Sequence, residues 1–362
     1  MNFDFSEDQR RLQEEVNRVL TAHSTSQDVR RVLDGEAPYS AASWQQMADL
    51  GALGIALPEQ FGGVGLGYLE LCLIAEEAGR ALLAAPIVSS VYLAAEAISR
   101  GGSDAQKAEW LPRIAAGTAI GTAALGASGQ RVMAADPVRF EDGKLYGTLN
   151  AVPDGMVANV AVVLAGDTLV LVDLDAGNIT RTPQQSIDPT RPLARLTFEG
   201  AAAQALPCDG AAVARTVTQG AAVLLAFEQV GGAEKALYAA RDYAMERRTF
   251  GRLIGSFQAV KHKLADLYTG IELARAHAYY GAWALATGAP ELPRAAAAAR
   301  VAATTAYTAA AEESLHLHGG IGYTWEMDCH LHLRRARWLG QIIGNEHQWR
   351  EALATALIEE AA

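Results

Sequence analysis

Arg247-Arg248-Thr249-Phe250-Gly251, with Gln258 eight residues beyond the phenylalanine, and His318-Gly319-Gly320-Ile321-Gly322 about sixty residues later, decide how the rest of this sequence is read. Taken singly they say little. A Gly-Gly pair usually ends a helix or makes a turn, and an arginine in Met245-Glu246-Arg247-Arg248 usually solvates a helix end. Phe250 is either core or a surface on which a nucleotide packs, and Gln258 is either a surface amide or a hydrogen-bonding partner. In this order and at this spacing they are the parts of a cofactor site that two helices present together. A guanidinium fork suits a diphosphate, and glycines let backbone approach a ligand closely.

Outward from these strings the pattern is helical. Val260, Leu264, Leu267 and Ile271 make one stripe, Ala296 to Ala311 forms an Ala-rich helix whose small face lets neighbours approach, and a last helix starts near Asn345. At the other end, Ser6-Glu7-Asp8-Gln9 is a capping box followed by Leu12, Val16 and Leu20 at helical spacing. Helical segments run to about Thr118, interrupted by the glycine-rich connection Leu50 to Gly65. Between them, short apolar runs alternate with turns: Val138 to Phe140, Asp142-Gly143, Leu145-Tyr146, Val160 to Leu164, Gly166-Asp167 and Leu169 to Leu174. Those are hairpins. The fold class is α+β: an all-α domain over 1–118, a small β-barrel or sandwich domain over 119–208, and a helical bundle over 209–362.

The chain resembles the acyl-CoA dehydrogenase family over its whole length. The two strings carry the resemblance, supported by Phe5-Ser6-Glu7-Asp8-Gln9, by Pro58-Glu59-Gln60-Phe61-Gly62-Gly63-Val64-Gly65, and by Gln106-Lys107 with Leu111-Pro112. It implies a four-helix bundle in the last domain, FAD as cofactor, and an oligomer in which this strip of the bundle clasps FAD held mainly by a neighbour. It assigns Arg247, Phe250, Gln258, His316, Gly319 and Gly320 to the FAD site. His316 stands where members of the family often have Gln, which keeps a hydrogen-bonding side chain.

The same resemblance exposes losses. Desaturating an acyl-CoA thioester needs a carboxylate to take the α proton. The family places its Glu either before the last helix or on the first long helix of the bundle, and the matching positions hold Ile343 and Ala221, neither of which accepts a proton. Glu228 lies two turns beyond Ala221, Glu346 reads as first-turn helix charge, and Glu326 resembles a structural position. The usual Thr-Glu-Pro-x-x-Gly-Ser-Asp loop is rewritten as Ala124-Leu125-Gly126-Ala127-Ser128-Gly129-Gln130-Arg131. Ala151 stands where an aromatic would pack on the flavin ring, and Pro153, lacking hydroxyl and N–H, where a hydroxyl would bond it. The half-site offered to a neighbour is intact while this chain's own ring pocket and base are lost.

The resemblance therefore implies a subunit of an FAD-dependent acyl-CoA dehydrogenase paired with a homologous subunit. Such pairs resemble the α2β2 enzymes of bacterial steroid and bile-acid side-chain breakdown, where the partner supplies the Glu and most of the acyl-CoA pocket. Two alternatives stand beside it, a self-sufficient homotetrameric flavoenzyme with an unrecognised base and a non-catalytic scaffold. Neither acyl group nor electron acceptor is named by the residues. A net charge of −11 and a pI near 5.3 disfavour nucleic-acid and anionic-membrane partners. The acidic N-terminus lacks signal-peptide features and no apolar run is expected to span a membrane, so a cytoplasmic location is expected. Cys72, Cys208 and Cys329 read as ordinary thiols, and His316, His318, His330 and His332 are spaced poorly for a metal.

Overall fold

A computed structural model of the chain describes residues 5–126 and 137–361. The sequence-expected capping box opens helix α1 (Glu7–His23): Ser6 accepts from the Gln9 backbone while Gln9 reaches back to Ser6. Helices α2 (Ser26–Leu33), α3 (Ala41–Asp49), α4 (Tyr68–Arg80), α5 (Glu96–Gly101) and α6 (Asp104–Ala115) complete the first layer, with a buried π-helical stretch at Val88–Ala95. The glycine-rich connection before α4 turns at Gly51 and Gly62, both in the left-handed region open to glycine.

The middle of the chain builds strands β1 (Gly121–Ala124), β2 (Arg139–Glu141), β3 (Lys144–Pro153), β4 (Val160–Ala165), β5 (Thr168–Asp173), β6 (Ile179–Gln184) and β7 (Leu193–Ala205). Their order is β1-β4-β5-β7-β3-β2. Asp142-Gly143 closes the β2–β3 hairpin with both residues at positive φ, the conformation of a tight hairpin turn. The thirteen-residue β7 organises the layer: it pairs with β3 on one edge, and on the other with β6 and then, from Ala203, with β5. The rewritten loop quoted above falls mostly on residues 127–136, outside the described residues.

The last layer is the bundle: α7 (Gly210–Glu246), α8 (Gln258–Thr287), α9 (Leu292–His318), α10 (Cys329–Leu339) and α11 (Glu346–Ala361). The middle of helix α7, Gly220 to Ala233, is buried all round, enclosed by α4, α8 and α9. By length and composition helix α7 could cross a membrane, although Glu228 and Gln229 interrupt its apolar run as expected from the sequence; most of its apolar window is buried inside the protein. Its approach to α4 is set by two glycines. A Cβ on Gly79 would overlap the Glu228 carbonyl oxygen, and one on Gly231 would overlap that of Glu76.

Where the three layers meet, charges are buried rather than excluded. Glu228 on α7 receives Arg191 Nη2 at 2.6 Å and lies 3.6 Å from Arg335, both arginines being fully enclosed. Arg335 Nε donates to Asp188 at 2.7 Å and its amines to the Leu82 and Leu83 carbonyls; Arg191 donates to Ala85 O. Removing one partner of such a pair typically costs about 3–5 kcal/mol, because the other charge stays buried.

Candidate cofactor half-site

Four segments converge at one end of the bundle. Helix α7 ends at Arg247, whose N–H donates to Tyr243 O at 2.8 Å and whose carbonyl accepts from Ile254. A two-strand hairpin, Arg248–Thr249 against Arg252–Leu253, turns through Phe250 and Gly251 at φ 52° and 79° and leads into the start of α8 at Gln258. Gly255 packs on Ala244. Helix α9 ends here too: Lys263 on α8 pairs with Glu313 at 2.8 Å, and the Tyr243 ring stacks on His318 with centroids 4.2 Å apart.

Most of the sequence-singled residues point outward from this end. Phe250 is 92 % exposed and so is not core. Arg247, Arg248 and Gln258 are exposed, and among the described residues Arg247 and Arg248 enter no ion pair. His316 is exposed with Nδ1 3.7 Å from Glu313. Gly319 sits at φ 63°, and a Cβ on Gly319 or Gly320 would meet only open space. Sequence reading missed three contributors: Arg252, whose guanidinium lies 3.9 Å from the centroid of the Phe257 ring; Lys263; and the amino-terminus of α8, which has no side-chain cap. Uncapped helix N–H groups next to free guanidinium groups are an anion site by construction. A patch of cations on a chain of net charge −11 draws anions locally.

The other histidines pack, as the spacing suggested. His318 donates Nδ1–H to Ser314 O at 2.7 Å, because a carbonyl can only accept, and His332 Nδ1 lies 3.0 Å from the Tyr307 hydroxyl. Burial, with Arg335 nearby, pushes the His332 imidazole down to about 3. His330 stacks on Trp325. Among the described residues no group of three His, Cys, Asp or Glu could hold a metal, and the three cysteines are free thiols.

A second place bears on chemistry. Between the β layer and the end of α10 lies a cleft of about 390 Å³ bordered by Ala151, Leu193, Trp338 and Ile342. Among the described residues, none that lines it is a carboxylate. Ala151 occupies a bulge in β3 at φ 53°, where its N–H is taken by Gln184 Oε1 at 2.7 Å. Pro153 is buried in β3, its carbonyl accepting from the Thr122 hydroxyl. Both positions where a base was sought are buried apolar side chains, Ala221 and Ile343. Of the nearby acids, Glu228 belongs to the buried charge seam, Glu346 Oε1 is held by Arg350 and Thr305, and Glu326 is exposed, its carboxyl lowered by the Thr324 hydroxyl and a backbone bond.

A helical layer, a β layer and a helical bundle whose exposed end offers arginines, an aromatic and open glycine backbone define a flavin-nucleotide-binding oxidoreductase. The chain belongs to the acyl-CoA dehydrogenase family: the model of the acyl-CoA dehydrogenase N-terminal domain matches residues 6–118 and that of the C-terminal domain residues 208–358. It is 34 % identical over 345 residues to "Acyl-CoA dehydrogenase IpdE2" of Mycobacterium tuberculosis, covering 93 % of each chain. A solved structure described as a variant of the "Tcur3481-Tcur3483 steroid ACAD" superposes with a TM-score of 0.89 at 31 % identity, over 98 % of this chain and 99 % of that one. The "ChsE4-ChsE5 complex from Mycobacterium tuberculosis" gives 0.88 at 27 % identity over 99 % of both. The family is FAD-dependent and oxidises acyl-CoA. At the bundle end the residues present suit the nucleotide half of FAD.

Proposed function

We propose that this chain is the base-lacking subunit of a heteromeric, FAD-dependent acyl-CoA dehydrogenase. In this reading the 209–362 bundle completes the partner's flavin site through Arg247, Phe250, Gln258, His316, Gly319 and Gly320, and carries the oligomer contacts. The observation that carries it is a division of labour within one chain: an outward-facing cationic clasp, against a cleft with no carboxylate among the described residues that line it. A half-site exposed to solvent has value only when a second subunit brings the other half.

When bound, FAD accepts a hydride from the β carbon of the acyl group. The α proton goes to a carboxylate, which in this arrangement belongs to the partner. This chain's Arg247 would hold the diphosphate by charge-assisted bonds, Phe250 would cover the nucleotide, and Gly319 and Gly320 would let backbone come close. Two relatives whose descriptions name a paired assembly or a steroid enzyme support a homologous partner in an α2β2 complex and a steroid-derived acyl group.

Flavin absorbance and solution mass test this. The chain is purified alone and after co-expression with a dehydrogenase-like gene encoded beside it. Expected is little or no flavin alone, and a yellow α2β2 assembly with about one FAD per heterodimer. A yellow, active homotetramer from this chain alone refutes the reading and favours an unrecognised base. Assembly activity and flavin content untouched by Arg247→Ala would favour a scaffold.

A further inference from the structure

We infer that Tyr243 and His318 are a positioning pair that holds the two cofactor-facing strings in register; this rests on the half-site reading above. Beyond Ala244 every residue of α7 and its hairpin as far as Arg252 is exposed, so Arg247 and Phe250 are carried by a segment with little protein around it. The glycine string is equally bare on its outer side. Tyr243 is one turn before Arg247 and accepts its N–H; His318 immediately precedes Gly319. Stacking these two rings, at 4.2 Å and 25°, therefore ties the root of one string to the root of the other.

Two further contacts fix His318. Its Nδ1–H is committed to Ser314 O, which sets the ring plane and the tautomer. Gly322 folds back on it so closely that a Cβ would meet Leu315 O and lie 2.9 Å from His318 Cβ, so the Gly319–Tyr323 turn rests on this residue. Behind it opens a cavity of about 670 Å³ that His318 and Ser314 help to line. Because that side lacks packed protein, ring orientation depends on the Tyr243 face and the Ser314 bond. Both rings act through Arg247 and the Gly319-Gly320 backbone, to which Tyr243 and His318 are directly joined.

The test measures FAD affinity of the co-expressed assembly, with KM for acyl-CoA and melting temperature read in parallel. Tyr243→Phe keeps both the ring pair and the Ser314 bond and is expected to hold FAD affinity within about twofold. Tyr243→Leu and His318→Ala are expected to weaken FAD about tenfold, the upper range for an aromatic pair, with KM for acyl-CoA unchanged. The double variant Tyr243→Leu/His318→Ala should weaken it no more than either alone. Arg247→Ala is the reference. If it leaves FAD affinity unchanged, the half-site reading itself fails. If it weakens FAD while the Leu and Ala variants do not, or if Tyr243→Phe loses as much as these, the positioning inference alone is overturned. Tyr243→Leu keeps apolar bulk on a half-buried position, so the test stands even if His318→Ala does not fold.

Discussion

Replacing Glu228 by Gln separates a structural carboxylate from a catalytic one. Glu228 is the acid closest in sequence to the base position on α7, Ala221, and its Oε2 is buried without a partner among the described residues, the kind of atom a base reading would seize on. The geometry argues for structure. Its Oε1 faces Arg191 at 2.6 Å and Arg335 at 3.6 Å, and among the described residues Arg335 has a second acid in Asp188 while Arg191 has no other acid within ion-pair range. Glutamine keeps the shape and a hydrogen bond to Arg191 but removes the charge, leaving a fully buried guanidinium beside a like-charged neighbour. The cost should fall near the single-partner range, about 3–5 kcal/mol, a large share of the roughly 5–15 kcal/mol that stabilises an ordinary domain. Urea unfolding of wild type and Glu228→Gln reads it, with turnover per folded assembly measured alongside. Arg191→Met should cost a similar amount, and the double variant Arg191→Met/Glu228→Met should cost much less than the sum, since a buried pair replaced by apolar groups is often neutral. A Glu228→Gln protein that loses less than about 1 kcal/mol yet stops turning over would sink this account and make Glu228 the base.

Other outcomes follow from single features. His332, held near 3 in the folded protein against an ordinary value near 6.5, lets the unfolded chain bind one more proton between these limits. Stability is therefore full above pH 6.5 and falls toward pH 3, by at most about 1.4 kcal/mol per pH unit from this group; His332→Gln should flatten that part of the stability profile. Gly79→Ala forces α4 off α7 and should cost several kcal/mol or send the chain to inclusion bodies, whereas Gly35→Ala, with open space around it, costs only its positive-φ strain, about 1 kcal/mol in thermal unfolding. Phe250→Asn should leave the isolated chain's stability within about 0.5 kcal/mol, since the side chain is exposed and Asn tolerates positive φ; flavin retention by the assembly should drop, and an unchanged flavin content would remove Phe250 from the site.

How much of this could be read beforehand follows from how local each signal is. The capping box at Ser6, the hairpin at Asp142-Gly143 and the helix end at Gly319 are set by a few neighbouring residues, and all appear where their sequences place them. Strands β6 and β7 gave no comparable signal. Ala201-Ala202-Ala203 lacks β-branched residues, and it is extended because β3 and β5 pair with its two edges, a tertiary cause. The outward strings were legible as motifs, but the Tyr243–His318 contact joins residues 75 positions apart and has no periodicity to betray it. The charge seam was hidden for the same reason: Asp188, Arg191, Glu228 and Arg335 look like ordinary surface charges until three layers close over them.

That seam bears on how such a chain can change over evolutionary time. Arg335 grips carbonyls of Leu82 and Leu83 from the first layer and Asp188 from the second while standing in the third, and Arg191 spans the same junction toward Ala85 and Glu228. A chimera that took any one layer from a relative lacking the matching charges would bury an unneutralised arginine or carboxylate at the graft. Recombination between paralogues is thereby steered toward whole chains, because charges of the second and third layers neutralise one another and the first supplies carbonyls to both arginines.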